Sequence, residues 1–194
     1  MDKKDNNTNN VPHLWRLFVA VDVPQVAKIE IARLEKELKK LNLFEGKYVN
    51  PDVVHVTLKF IGYVEQNALT PLKQLLKTVY FKPFNVTLGN LGFFGNRGAV
   101  HIVWMNLIAS QMKELAQNVQ RTLSQMIPPD PRPFQNHVTL ARVKSTVRPN
   151  ALQEAIKNMS VQPVSWTVNE FGLKRSVLTP EGPIYTDIDM YRAQ

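Results

Sequence analysis

The order of apolar and polar positions predicts alternating strands and helices. A buried strand is indicated by LWRLFVAVDV at 14–23, and apolar residues then recur at helical spacing in 26–44, opposite a face of lysines and glutamates. The runs VVHVTLKFIGYV at 53–64 and HVTLARV at 137–143 contain too many β-branched and aromatic residues for helices. We therefore predict a strand for each of these two runs.

Further elements complete two similar halves of the chain. Helices are predicted at 65–81, 109–127 and 150–159, a hairpin turns at 95–98, and closing strands flank a turn at 180–183. These elements recur in broadly similar order around the two HVTL runs. The order predicts an α+β protein of two related lobes, each an antiparallel sheet with helices on one face.

The composition is that of a folded protein without thiol chemistry. With 194 residues, 44% of them hydrophobic, the chain is long enough for one compact domain or two small fused lobes. Residues 1–12 are polar and lack apolar periodicity, so we expect a flexible tail outside a single bilobal domain at 13–194. The absence of cysteine excludes a thiolate nucleophile or metal ligand.

Charge and hydropathy narrow the class of partner. No apolar run approaches the roughly 20 residues that span a bilayer, and the opening MDKKDNNTNN lacks the apolar region of a secretory signal, so we expect a cytoplasmic protein without a membrane partner. The 24 Lys and Arg residues against 16 Asp and Glu residues give a net charge of +8. This excess favours nucleic acid or another phosphorylated partner, although a basic balance can also serve solubility alone.

The tetrapeptide HVTL occurs twice, at 55–58 and 137–140, in a chain with four histidines. Alternation along a strand places His55 and Thr57 on one face, and it does the same for His137 and Thr139. One His-x-Thr on a strand is usually a surface or satisfied core residue. Two copies in corresponding places of two lobes point instead to one shared site between the lobes.

Two histidines across a cleft can act as an acid and a base on a phosphodiester. Histidine titrates near pH 6.5, so one imidazole can accept the proton of a water molecule while the other protonates the departing oxygen. The threonine hydroxyls and nearby cations would hold the remaining phosphate oxygens. Two histidines can also bind a metal, but no carboxylate lies near either tetrapeptide at ligand-like spacing, so we expect neither a metal nor another cofactor.

The chain resembles the 2H phosphoesterases, and among them the RNA 2',3'-cyclic phosphodiesterases of bacteria and archaea, also called 2'-5' RNA ligases. The stretches that carry the resemblance are RLFVAVDVP, YVNPDVVHVTLKFIGYV, LGFFGNRGAVHIVWMNL, RPFQNHVTLARV and LKRSVLTPEGPIYTDI. It implies a bilobal LigT-like fold with pseudo-two-fold symmetry, in which two antiparallel sheets line a central cleft and the helices lie outside.

The resemblance also implies an activity and roles for the site residues. It implies metal-independent hydrolysis of RNA 2',3'-cyclic phosphate ends to 2'-phosphomonoesters, with His55 as the proton donor to the 3' oxygen and His137 as the proton acceptor. The expected partner is RNA with such an end, including tRNA fragments or cyclic nucleotides, and the expected state is a monomer. Two alternatives remain open: a reversible 2'-5' RNA ligase and a non-catalytic basic RNA-binding module.

Two cations near the tetrapeptides are candidate phosphate ligands. By strand alternation Lys59 shares the face of His55, so its ammonium group could reach the cleft. Arg142 resembles a phosphate contact of the family. Strict alternation, however, places its side chain on the face of the strand that does not carry His137, unless the strand bulges there.

Other residues have simpler interpretations. Tyr48 stands where the family often has tryptophan, and it could stack on a base or pack against the protein. The aromatic residues Phe93, Phe94 and Tyr63 could stack on a terminal base, but aromatic residues at this density are usually in the core, and we expect core positions for them. His13 and His101 lack the His-x-Thr context, and the glycines at 95–98 fit a hairpin turn.

Overall fold

The computed structural model describes residues 14–180 and 182–194, so the predicted tail at 1–12 and His13 lie outside the described residues. The described helices are α1 (Gln25–Leu41), α2 (Leu69–Lys77), α3 (Ser110–Leu123) and α4 (Pro149–Asn158). The described strands are β1 (Leu14–Asp22), β2 (Glu45–Tyr48), β3 (His55–Glu65), β4 (Phe84–Asn96), β5 (Ala99–Ile108), β6 (His137–Ser145), β7 (Ser165–Val168), β8 (Glu170–Leu178) and β9 (Pro183–Arg192).

The strands form two antiparallel sheets. The first has the order β3-β1-β8-β9 and the second has the order β2-β6-β5-β4-β7. The predicted α+β class with two antiparallel sheets is confirmed. The chain passes between the sheets more than once, because β2 joins the second sheet while β8 and β9 return to the first.

The helices cover the sheets in a crossed arrangement. Helix α3, which lies between β5 and β6 in sequence, packs against β3 of the first sheet and against α2, and α2 also contacts β9. Helix α4 packs against β4 and β5 of the second sheet, and α1 holds Lys39 over the ring of Tyr48 in β2. Each half of the chain thus contributes a helix to the sheet that carries the other half's HVTL strand.

The core lies between the helices and the sheets. Helix α1 buries Ala27, Ile31, Leu34 and Leu38, which recur every three or four residues. These side chains belong to one continuous apolar cluster that includes residues of both sheets. Because this cluster occupies the helix-covered face of each sheet, the opposite face is free to carry polar side chains.

The four strands of the first sheet have counterparts, in the same order, in the five-stranded second sheet. Strands β3, β1, β8 and β9 correspond in order to β6, β5, β4 and β7, with β2 added outside β6. In the first sheet Thr57 lies opposite Ala20 and Lys59 lies opposite Val19, so Leu58 is an extra residue on β3. This is a β-bulge directly after the His-x-Thr sequence.

The second sheet has the same bulge at the same step. Thr139 lies opposite Trp104 and Ala141 lies opposite Val103, which leaves Leu140 as the extra residue on β6. A bulge of one residue reverses the alternation that follows it. The residue five positions after each histidine therefore returns to the histidine's own face.

Candidate active site

The first tetrapeptide opens β3 and divides its side chains between two faces. Val56 and Leu58 are buried in the core at 0% and 5% exposure. His55 and Thr57 are partly exposed on the opposite face. The apolar pair therefore anchors the strand, and the polar pair is presented to solvent.

The second tetrapeptide repeats this division at the start of β6. Val138 and Leu140 are fully buried, whereas His137 and Thr139 are partly exposed. Strands β3 and β6 belong to different sheets but contact each other. The fold thus brings the two His-x-Thr pairs onto neighbouring strands.

Both imidazoles are oriented by the same local hydrogen bond. His55 Nδ1 lies 3.0 Å from the carbonyl oxygen of Val53, and His137 Nδ1 lies 2.8 Å from that of Gln135. A carbonyl oxygen can only accept, so each Nδ1 carries the hydrogen and donates it. Nε2 of each neutral imidazole is therefore the nitrogen that can accept a proton.

Burial lowers the pKa of both histidines. For His137 the hydrogen bond to Gln135 acts in the opposite direction but is the smaller effect. For His55 burial is again the largest cause, the bond to Val53 raises the pKa, Lys174 lowers it and Asp22 raises it. Both imidazoles thus favour the neutral form, and a bound phosphate anion would favour the charged form.

Aromatic rings enclose His55. The Phe18 ring centroid lies 4.8 Å from that of His55, and Tyr185 meets the imidazole edge-on at 4.9 Å. Phe60, which the bulge returns to this face, packs against Phe18. These rings contribute to the burial of the imidazole, which is the largest cause of its lowered pKa.

His137 has a different aromatic neighbourhood. Phe94 meets it edge-on at 5.1 Å, and Trp104 lies 6.2 Å away. The Trp104 ring lies across Gly92, where an added Cβ would overlap the ring carbons. Glycine at that position therefore allows the indole to lie beside the histidine.

The aromatic residues that we expected in the core differ in how far they are buried. Phe93 packs against the core cluster, whereas Tyr63 is 63% exposed, so the core prediction is wrong for Tyr63. For Phe94 it misses the contact with His137. Tyr48 packs beside Phe44, which favours the packing interpretation of this residue over base stacking.

The bulge corrects the prediction for Lys59. Because Leu58 is an extra residue, Lys59 lies opposite Val19 and points to the core side rather than to the face of His55. The side chain is buried, and Nζ donates a 2.7 Å hydrogen bond to the carbonyl of Pro128. The prediction that Lys59 shares the face of His55 is therefore wrong. Its ammonium group binds the Pro128 carbonyl on the opposite face of the sheet.

The matching bulge brings Arg142 to the face of His137. Its side chain is exposed, and Lys47 lies opposite it on β2. Burial raises the pKa of Tyr185, and the nearby cations of Arg142 and Arg16 partly offset this effect. Arg142 of the second sheet thus lies near the tyrosine that contacts His55 of the first.

A cluster of charged residues that the sequence reasoning missed lies beside His55. Asp22 is directly opposite His55 in the strand register. Lys174 on β8 donates hydrogen bonds to the carboxylates of Asp22 and Asp187. Alternation along β1, which places Phe18, Ala20 and Asp22 on one face, was the available signal for Asp22.

His101 and the turn at 95–98 have structural roles, as the sequence predicted. His101 is exposed on β5 and bonds Asn96 at 3.1 Å. The turn at 95–98 connects β4 to β5, and Arg97 and Gly98 have positive φ angles of 48° and 84° there. These features are those of a hairpin turn.

The described part of the chain contains neither a candidate metal cluster nor a membrane-spanning helix. Among residues 14–180 and 182–194, no group of three or more His, Asp or Glu side chains is placed to hold a metal ion. The helices of this part are too short or too polar to cross a bilayer.

Comparisons with known proteins agree with this geometry. The family model described as the 2'-5' RNA ligase superfamily matches residues 23–177. A protein of Archaeoglobus fulgidus named RNA 2',3'-cyclic phosphodiesterase is 33% identical over 177 residues, covering 91% of this chain and 99% of the relative. A protein of the same name from Methanothermobacter thermautotrophicus is 32% identical over 184 residues, covering 91% and 98%.

Solved structures show the same fold. A crystal structure from Thermus thermophilus superposes with a TM-score of 0.75 at 27% identity, covering 91% of this chain and 97% of that one. The apo structure of E. coli LigT superposes with a TM-score of 0.73 at 23% identity, covering 93% and 99%. The predicted LigT-like architecture is therefore confirmed.

Proposed function

The chain belongs to the 2'-5' RNA ligase superfamily, and on that premise we propose that it hydrolyses RNA 2',3'-cyclic phosphate ends to 2'-phosphomonoesters by two-histidine catalysis. The observation that carries the proposal is the doubled His-x-Thr strand. In each copy a backbone carbonyl holds Nδ1 of the histidine and leaves Nε2 available for proton transfer.

The enzymatic class rests on relatives along nearly the whole chain. Proteins named RNA 2',3'-cyclic phosphodiesterase match 91% of this chain at 32% and 33% identity. The prediction of an RNA 2',3'-cyclic phosphodiesterase is confirmed at this level. Product, mechanism and residue roles are our proposal.

In the proposed reaction the two imidazoles exchange protons across the phosphate. Nε2 of neutral His137 accepts a proton from water as the water oxygen bonds to phosphorus. The bond from phosphorus to the 3' oxygen breaks, and Nε2 of protonated His55 donates its proton to that oxygen. One water is consumed, and the products are a 2'-phosphomonoester and a free 3' hydroxyl.

The polar groups around the histidines would bind the phosphate oxygens. The hydroxyls of Thr57 and Thr139 lie on the faces of their histidines and can donate hydrogen bonds to the non-bridging oxygens. Arg142 would add a cation where negative charge grows in the transition state. With acid, base and cation supplied by side chains, the proposed reaction needs no metal or other cofactor.

The charge of the cleft favours RNA as the substrate. Lys47 and Arg142 are neighbours on adjacent strands, and Arg16 lies near Tyr185, so cations line the approach to the histidines. Backbone phosphates next to the cyclic end would bind such a surface. We extend the proposal to tRNA fragments or cyclic nucleotides as substrates, to a monomeric enzyme and to a cytoplasmic location.

A direct assay tests the proposal. The protein is incubated with a nucleoside 2',3'-cyclic phosphate in EDTA, and the phosphomonoester product is identified. We expect His55→Ala and His137→Ala each to lower kcat by about 10²- to 10⁴-fold, the usual contribution of an acid or base. His101→Ala is the matched control, because His101 is exposed and bonds Asn96 away from the pair.

Three results would contradict the proposed function. They are the absence of turnover by the wild type, equal turnover by the two alanine variants and the wild type, and a 3'-phosphomonoester as product. The superfamily name also makes ligation a second candidate, in which a ribose 5'-hydroxyl replaces water as nucleophile. Supplying a 5'-hydroxyl RNA and measuring the 2'-5' linked product would distinguish the two reactions.

A further inference from the structure

The two sheets differ in the residue that lies opposite each histidine. Asp22 lies opposite His55, whereas Asn106 lies opposite His137. The matched strand orders and bulges make these two positions equivalent. A carboxylate therefore neighbours one histidine of the pair, and a neutral amide neighbours the other.

The carboxylate near His55 is bound to a buried lysine. The Lys174 side chain is 7% exposed, and its Nζ lies 2.9 Å from Oδ2 of Asp22 and also bonds the carboxylate of Asp187. Burial would lower the pKa of Lys174, but its hydrogen bonds to the two aspartates raise it, so the ammonium stays charged. The aspartates are half exposed, and the three residues together carry a net charge of −1.

Charged and titratable groups reach the surroundings of His55 from four strands. Strand β1 contributes Asp22 and Arg16, β8 contributes Lys174, and β9 contributes Asp187 and Tyr185. Strand β6 of the other sheet contacts β3 and carries His137 and Arg142. Of these, Lys174 lowers the pKa of His55 and Asp22 raises it. A balance between a fixed anion and a fixed cation is thus built into the sheet beside this histidine.

Resting on the proposed function, we propose that Asp22 and Lys174 are positioning residues that balance the hold of His55 on the proton it donates. The Asp22 carboxylate favours the charged imidazole, which is the form a proton donor needs. The Lys174 ammonium binds the same carboxylate and limits this effect, so that the proton can still leave. The equivalent Asn106 holds no charge, which suits a histidine that must begin neutral.

Opposite substitutions should move the pH profile in opposite directions. A proton donor must be charged, so its titration sets the alkaline limb of kcat/KM. Asp22→Asn removes the anion and is expected to move that limb to lower pH, by about half a pH unit for one charge in a partly solvated site. Lys174→Met removes the cation and is expected to move the same limb to higher pH by a similar amount.

Two further variants separate positioning from simple damage to the fold. Lys174→Arg keeps the cation and is expected to restore the wild-type profile. Asp189→Asn removes a carboxylate from the same strand as Asp187, but Asp189 pairs with Lys73 of helix α2 instead. This control is expected to leave both limbs of the profile unchanged.

The titration of His55 can also be measured without turnover. NMR spectra of the free protein follow each imidazole with pH, and the His55 signal is assigned by its loss in His55→Ala. We expect the midpoint of the His55 titration to fall in Asp22→Asn and to rise in Lys174→Met. Displacements in the same direction, or none in either variant, would overturn the proposal.

The kinetic and NMR results distinguish this inference from the proposed function. If the wild type does not hydrolyse cyclic phosphate, the proposed function fails while the NMR titration still tests the charge balance. If the variants move the acid limb of kcat/KM instead of the alkaline limb, His55 is the base and the inference is wrong. Movement of the alkaline limb in opposite directions supports it.

Discussion

Glu35 of helix α1 offers a sharp test of how burial controls a charge in this protein. Its side chain is 3% exposed, and Oε1 has no hydrogen-bond partner in the described part of the chain. Burial raises the pKa of Glu35 from 4.5 to about 7, although the nearby Lys39 ammonium, 3.9 Å from Oε2, acts against this. Replacing Glu35 by glutamine keeps the shape and removes the ionisable group.

The sign of the effect follows from the direction of the pKa change. The pKa in the folded state lies above that of the unfolded chain, so the protonated carboxyl is bound more tightly when the protein is folded. The contribution of Glu35 to stability is fully present below about pH 4.5 and is lost as the pH rises through about 7. Wild type and variant should therefore differ more in stability at pH 8 than at pH 5.

The size of the difference follows from the same values. A pKa difference of about 2.5 corresponds to an upper limit of about 3 kcal/mol at 1.36 kcal/mol per unit. The value of about 7 already includes the effect of Lys39, and part of this free energy is lost below pH 5, so we expect Glu35→Gln to gain about 1–3 kcal/mol over wild type between pH 5 and pH 8. For a chain of this length that is roughly 3–10 °C in Tm.

Urea and thermal unfolding of both proteins at several pH values measure this gain. Glu154→Gln is the matched control, because Glu154 lies on the exposed face of helix α4. We expect the control to follow wild type within about 0.5 kcal/mol at every pH. A stability difference for Glu35→Gln that is the same at pH 5 and pH 8 would refute the reasoning.

Three further substitutions test the positions of residues around the site. Arg142→Ala is expected to lower kcat/KM by about 10- to 100-fold and to weaken its salt dependence, because one charge-assisted phosphate contact is lost. Arg175→Ala is the control, since the guanidinium of Arg175 lies over Trp15. An equal loss of kcat/KM in the two variants would show that Arg142 does not contact the phosphate. Lys59→Met is expected to lose about 1–2 kcal/mol of stability in urea with KM unchanged, because its partner is the Pro128 carbonyl; a raised KM at full stability would instead indicate a phosphate ligand. Gly92→Ala is expected to lose about 1–3 kcal/mol and to lower kcat, since the new methyl group displaces Trp104 beside His137, and wild-type kcat would contradict this.

Strand periodicity was sufficient to predict the faces of the two HVTL sequences. Val56 and Val138 are buried, whereas His55 and His137 are partly exposed on the opposite side. The alternation holds because each strand has one face on the core and one on solvent. Beyond the fourth residue the same rule fails, because a bulge is set by pairing with the neighbouring strand.

The misplacement of Lys59 shows what a single sequence lacks. Its orientation depends on the register of β3 against β1, which places Leu58 as the extra residue. The crossed packing of α1 and α3 likewise depends on contacts between distant parts of the chain. Neither feature leaves a periodic signal in the residues concerned.

The charged cluster and the aromatic neighbours of His55 were missed for a related reason. Asp22 lies far from Lys174 and Tyr185 in sequence, and the three residues meet because β1, β8 and β9 are adjacent in one sheet. The sequence predicted two related lobes without indicating which strands form each sheet, and the first sheet uses strands from both ends of the described chain. The order of elements along the chain therefore does not indicate that the C-terminal strands neighbour His55.

The matched bulges enlarge the repeated unit from four residues to six. Its sixth position is Phe60 in one copy and Arg142 in the other, and both are exposed on the side of their histidine. The fifth position also differs, with Lys59 in one copy and Ala141 in the other, but both residues are buried, so the difference that reaches the site lies at the sixth position. One copy presents a ring at this position and the other presents a cation, so a site built from two matching strands offers unlike groups to the two ends of a substrate.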